Sequence, residues 1–204
     1  MAAMGLPGLP DPIHEKLAAY QGLLAKWNSK INLTAHRSEE SSLEKNFLDS
    51  LALLPLIPIG NIMDFGSGAG FPGLVLKISR PEISMTLVES DRRKSVFLET
   101  IVRELALQKT HVANLFLDCQ KAKEMGWEGR FDGLVSRATM AIGELLPVGA
   151  LCLKSGGVFL GMATENQEDL TLPPSISLGG ESTYELPFSK ISRRILLFKK
   201  ISSA

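Results

Sequence analysis

The chain reads as one α/β domain, a mostly parallel sheet closed by an antiparallel hairpin and preceded by N-terminal helices. Three observations predict this. Residues 61–73 run from a short apolar stretch through Asp64 into a glycine-dense turn and then Pro72. From Asn61 to Met162, short apolar runs alternate with helix-length segments, which implies parallel strands joined by right-handed crossovers. The ending differs: residues 182–186 and 193–201 are strand-like with no helix between them.

Before residue 61 the pattern is helical. Ile13, Leu17, Tyr20, Leu24, Trp27 and Ile31 recur at steps of three and four, one face of an amphipathic helix. Asp11, just before Pro12, is placed to cap it. A second helix is expected from Ser38, with Glu39 and Glu40 in a first turn whose dipole favours anions. Leu43, Phe47, Leu51 and Leu54 form its buried stripe, and Pro55 ends it. Residues 1–10, rich in proline and glycine, read as a mobile tail. Strands are then expected at 61–65, 84–89, 110–115, 131–136 and 157–162, with helices at 72–79, 92–105 and 141–154. The chain divides accordingly into a helical extension, 1–60, and one compact core, 61–204.

Composition narrows the class. With 204 residues, 45% hydrophobic and 22% charged, one globular domain is expected. The apolar stretch 51–59 is cut by Pro55 and Pro58 and is too short for a bilayer. Residues 1–15 lack the charged start and apolar run of a secretory signal. Cys119 and Cys152 have no metal-ligand spacing, and His14, His36 and His111 are scattered. A cytoplasmic protein with no metal and no membrane partner is expected.

The glycine turn selects the ligand. Gly66, Gly68 and Gly70 lack a Cβ, so the chain can turn tightly and a nucleotide-like ligand can lie against it. A dinucleotide fingerprint begun at Gly66 needs glycine at position 71, where this chain has Phe71. The pattern Asp-x-Gly-x-Gly-x-Gly over 64–70 looks like the first motif of Rossmann-like S-adenosylmethionine (SAM) methyltransferases. Glu89 ends the second apolar run, 21 residues beyond Gly68 (89 − 68), at the spacing of a ribose-binding carboxylate. The antiparallel ending also favours SAM, because dinucleotide folds continue parallel. The expected fold is therefore the Rossmann-like class I SAM-dependent methyltransferase fold, with Asp64, Gly66, Ser67, Gly68, Phe71 and Glu89 as cofactor candidates. An NAD-dependent oxidoreductase using the same turn is the competing reading.

Four segments carry a family resemblance: Trp27-Asn28-x-x-Ile31-Asn32-Leu33-Thr34, Phe47-Leu48-Asp49-Ser50, residues 64–73, and Phe131-Asp132-Gly133-x-x-Ser136-Arg137-Ala138. In this order they resemble the glucose-inhibited division protein B family, RsmG, over about residues 13–199. The resemblance implies methylation of N7 of one guanine in the 530 loop of 16S ribosomal RNA, within the small subunit or its assembly intermediate. It also implies SAM contacts at Gly66, Phe71, Leu117, Asp118 and Arg137. Asp118 would accept from the adenine amine, or else cap a helix over 119–123. Arg137, at the end of an apolar strand, is costly unless it opens to solvent or meets an anion, for which the SAM carboxylate or an RNA phosphate would each suit. Two positions depart from the family pattern: Asn46 stands where histidine is usual, and Ala163 where lysine is usual.

Net charge is zero, so RNA contacts must come from local patches. Arg92, Arg93 and Lys94 beside the cofactor edge, and Arg193 near the carboxyl end, are the candidates. Guanine N7 carries a lone pair and no proton at neutral pH, so no general base is expected and no certain catalytic residue is assigned. A non-catalytic RNA-binding shell and a methyltransferase with a non-RNA acceptor are the remaining alternatives.

Overall fold

The apolar runs dictate a sheet covered on both faces. In β1 (Asn61–Phe65) the side chains of residues 62–65 are all buried. Ile62 enters one core and Met63 and Phe65 the opposite one, as alternation along a strand requires. The computed structural model describes residues 8–35, 38–137, 141–163 and 170–201. Most of the expected tail (1–7), His36 and Ala138 lie outside that set.

Among the described residues the sheet has seven strands in the order β3-β2-β1-β4-β5-β7-β6. After β1 come β2 (Ser84–Glu89), β3 (Thr110–Asn114), β4 (Phe131–Arg137), β5 (Leu153–Ala163), β6 (Ile176–Glu185) and β7 (Ser192–Lys200). Strands β1 to β5 pair in parallel, while β7 pairs antiparallel with both β5 and β6. The strand order reverses between β1 and β4, which opens a crevice at their carboxyl ends.

Helix α1 (Asp11–Ile31) lays Leu17, Tyr20 and Leu24 into one core, with α4 (Gly73–Ser79) and α5 (Arg92–Glu104). The opposite core holds Trp127, Leu145, Leu146 and Phe159, and is covered by α6 (Cys119–Glu124) and α7 (Ile142–Cys152). Tyr20 is the hinge of the first core. Its ring stacks on Phe71 at 5.3 Å and meets Phe47 at 5.1 Å, and its hydroxyl donates to the Ala69 carbonyl in the glycine turn. Burial raises the pKa of that phenol well above its ordinary value, so it remains a donor.

Several boundaries differ from the sequence expectation. Asp11 lies inside the first turn of α1, with Pro10 at the cap position, so proline rather than a side-chain cap starts the helix. Strand β5 begins at Leu153, which shortens α7, and β6 begins at Ile176, six residues before the expected start at 182. The second helix is not one regular helix. It runs as α2 (Glu39–Ser42), a π-helical stretch (Leu43–Leu48) and α3 (Asp49–Leu51). Ser38, the expected start of the helix, caps it by accepting from Ser41 N–H at 3.2 Å. The wider π turn rotates the face, so Leu43 is exposed while Glu44, Asn46, Phe47 and Asp49 are buried. A strict 3.6-residue period misses that shift.

Removing the Tyr20 hydroxyl (Tyr20→Phe) leaves a carbonyl of the glycine turn without its donor. Urea unfolding should show a loss of about 1–3 kcal/mol, with the packing of the ring retained.

Candidate cofactor and substrate site

The turn after β1 is shaped by one carboxylate. Asp64 is fully buried; its Oδ2 accepts from the Gly73 N–H at 3.0 Å, and its Oδ1 has no hydrogen-bond partner among the described residues. Burial raises its pKa to about 7, against the opposing pull of the nearby Ser67 hydroxyl, the Gly73 N–H and the charge of Arg137. A Cβ at Gly73 would sit 2.5 Å from Asp64 Oδ2 and 2.6 Å from Leu87, so glycine there permits close approach of helix and strand. Gly70 has φ +95°, and a Cβ there would lie 2.6 Å from the Tyr20 hydroxyl. Glycine is needed at that position for both conformation and space.

Glu89, at the end of β2, is nearly buried and clamps the turn. Its Oε2 accepts from Gly68 N–H and its Oε1 from Asp91 N–H, both at 2.8 Å. Each carboxylate oxygen retains a lone pair toward a ligand. Ser67 turns inward: its N–H donates to Val88 and its hydroxyl to the Asp64 carbonyl at 3.1 Å. Leu117 is buried after β3. Asp118 is exposed and caps α6 by accepting from Lys121 N–H at 2.7 Å, the helix-cap role weighed from sequence. Arg92, Arg93 and Lys94 occupy the first turn of α5 beside Glu89. Arg92 and Arg93 make only exposed pairs, with Glu99 and Asp91.

Arg137 and Phe71 form a second group. Arg137 Nη1 donates to the Lys45 carbonyl at 2.7 Å and lies 3.4 Å from Asp49 Oδ2; Nη2 donates to Asn46 Oδ1 at 3.0 Å. Its guanidinium sits 5.2 Å above the Phe71 ring, which is itself buried against Tyr20 and Phe47. An anion for Arg137 is thus supplied within the chain, by Asp49. Arg193 joins the same carboxylate at 3.4 Å, and the Tyr184 hydroxyl donates to it at 2.7 Å.

The structure therefore brings Asp64, Gly66, Ser67, Gly68 and Glu89 together at the carboxyl ends of β1 and β2. Arg137 and Arg193 meet at Asp49, on the β4 side, with the Phe71 ring beneath the Arg137 guanidinium. Asn46 supplies part of the setting of Arg137. Ala163 ends β5 opposite Arg194, whose guanidinium is engaged by Glu181 at 2.8 Å. Sequence reasoning assigned no role to Asp49, although it lies in one of the quoted segments, and missed Glu44 and Tyr184, for which the linear pattern offers no signal.

Residues 13–196 match the model of the GidB family, rRNA small subunit methyltransferase G. The chain belongs to this family. The family member from Desulfitobacterium hafniense (strain Y51) is 35% identical over 93% of this chain and 82% of its own length. That from Myxococcus xanthus (strain DK1622) is 35% identical over 97% of this chain and 93% of its own. Among solved structures, TrmN from Thermus thermophilus superposes with TM-score 0.60 at 15% identity, covering 78% of this chain and 53% of its own. M. jannaschii TYW2 in complex with AdoMet superposes with TM-score 0.57 at 11% identity, covering 76% of each. These likenesses show the class I methyltransferase fold.

Asp64 makes stability pH-dependent. Its folded pKa, about 7, lies above the ordinary carboxylate value, so the folded state holds a proton that the unfolded state releases. The stability this confers is present below about pH 4 and lost as pH rises to about 7. Asp64→Asn, which keeps an acceptor for Gly73, should flatten that slope in denaturant titrations across this range.

Proposed function

We propose that this chain transfers a methyl group from SAM to N7 of one guanine in the 530 loop of 16S rRNA, in the small subunit or its assembly intermediate. The observation that carries the reading is the family match across residues 13–196, laid over a glycine turn whose features fit this cofactor. The buried, unpartnered Asp64 Oδ1 offers an acceptor to a cationic ligand, and Glu89 offers acceptors for ribose hydroxyls at the rim of the same turn. Phe71 fills the third-glycine position of a dinucleotide fingerprint and is locked into the aromatic core, which disfavours an NAD reading.

When bound, SAM supplies an electrophilic methyl group on a sulfonium sulfur. Gly66 and Gly68 would line the cofactor side of the turn, Asp64 and Glu89 would bind and orient SAM, and Leu117 and Asp118 would hold its adenine. Arg137, held by Asn46 and Asp49, is kept rigid for the cofactor carboxylate or an RNA phosphate. Guanine N7 has no proton to remove, so the chain's contribution is alignment, a term worth roughly 7–11 kcal/mol in favourable cases. Arg92, Arg93 and Lys94 would meet phosphates on the β2 side, and Arg193 on the hairpin side.

Mass spectrometry of 16S rRNA from cells lacking the gene should show one N7-methylguanosine missing, restored by the intact gene. The purified protein should bind S-adenosylhomocysteine and not NADH; an unchanged set of methylated guanines, or NADH binding, would refute the assignment. Replacing Arg92 and Arg93 together with alanine should weaken RNA binding and reduce the slope of log K against log salt by roughly 1–2.

A further inference from the structure

The turn joining β6 to β7 stands at the carboxyl-end face of the parallel strands, because β7 enters the sheet with Arg194 opposite Ala163, the last residue of β5. Its geometry is unusually constrained. Leu186 is fully buried, and two backbone bonds close the turn, from Leu186 N–H to Ile191 and from Lys190 N–H to Leu186. From the far side, the buried carboxylate of Glu44 accepts from the N–H groups of both Phe188 (2.6 Å) and Ser189 (2.8 Å) through one oxygen. Between these anchors the Phe188 ring is 79% exposed. A buried charge thus holds the backbone of a turn whose largest side chain touches mainly solvent.

Phe188 and Phe116 are the exposed aromatic side chains among the described residues, and both follow the carboxyl-end edge of the sheet. Basic residues lie close to this turn along the chain, each beside a carboxylate: Lys45 follows Glu44, Lys190 is two residues past Phe188 and pairs with Glu185 at 3.2 Å, and Arg193, the second residue of β7, pairs with Asp49 at 3.4 Å. Glu44 and Lys45 are consecutive, and the Lys45 carbonyl is the acceptor of Arg137, so one helical stretch holds both this turn and the Arg137 cluster. An exposed aromatic ring on an anchored backbone offers a stacking face to an unstacked base of single-stranded RNA.

We propose that the Phe188 turn is a stacking platform for an unpaired base of the RNA substrate, adjacent to the guanine that receives the methyl group; this rests on the rRNA reading above. Glu44 is its positioning residue. Phe188 lies past β5, away from the β1–β4 crevice, so the stacked base is a neighbour of the target.

Methyl transfer from tritiated SAM to protein-free 16S rRNA and to purified small subunits tests this, alongside S-adenosylhomocysteine titration. Phe188→Ala should raise KM for the RNA substrate roughly ten-fold, the size of one base–aromatic stack. Affinity for S-adenosylhomocysteine and Tm should be unchanged. Phe188→Trp should restore KM, whereas Phe188→Leu should not. Ile59→Ala, an equally solvent-facing apolar residue before β1 at the opposite end of the strands, should behave as the unaltered protein. An unchanged KM in Phe188→Ala overturns the proposal. Full activity of Phe188→Leu also overturns it, by pointing to an apolar protein contact, as does a parallel loss of cofactor affinity. If the unaltered protein methylates no rRNA, the functional reading itself fails, and that shows in the control arm before any variant is compared.

Discussion

A carboxylate with no room around it organises this molecule. Asp64 is buried at the end of the central strand, and the chain meets it with glycine at position 73 because any larger residue would collide with Oδ2. Burying an ionisable group costs free energy unless it is paired or neutral; burial pushes this one up to a pKa of about 7, against the pull of the Gly73 N–H. The turn that follows must curl back within a few residues. Tyr20 sets its depth by donating to Ala69 and stacking on Phe71. The N-terminal helix thereby helps to shape the glycine turn.

The same helical region also governs the other side of the site. The π-helical stretch brings residues five apart into line, so Glu44 and Asp49 both face inward. Glu44 fixes the β6–β7 turn through two backbone donors, and Asp49 gathers Arg137, Arg193 and Tyr184. Two guanidiniums share that one carboxylate, which leaves the group of three with one positive charge in excess. The cluster draws its members from the N-terminal helices, from the end of β4 and from the terminal hairpin. Displacing any one would move the others.

Much of the fold was legible in the sequence because it follows from local rules. The apolar runs 61–65 and 84–89 became β1 and β2 with the same bounds, and the glycine turn sits where its pattern placed it. The spacing from Gly68 to Glu89 became a direct hydrogen bond. Position 71 pointed away from a dinucleotide, and its ring proved to be core. Where period-based reasoning failed, at Leu43 and at the start of β5, a π turn and a strand extending beyond its apolar run had altered the register.

By itself, then, the sequence determined the strand–turn–helix unit, the parallel pairing that follows from alternation, and the family. These depend on residues close in the chain, whose steric limits and apolar periodicity act over a few positions. The tertiary structure alone decided which charges meet. Asp49 lies 88 residues from Arg137 and 135 from Tyr184, and Glu44 lies 144 from Phe188. No local propensity encodes such pairings. They exist because the sheet brings its carboxyl edge and terminal hairpin against one irregular turn of helix, where a buried carboxylate must find donors or remain uncompensated.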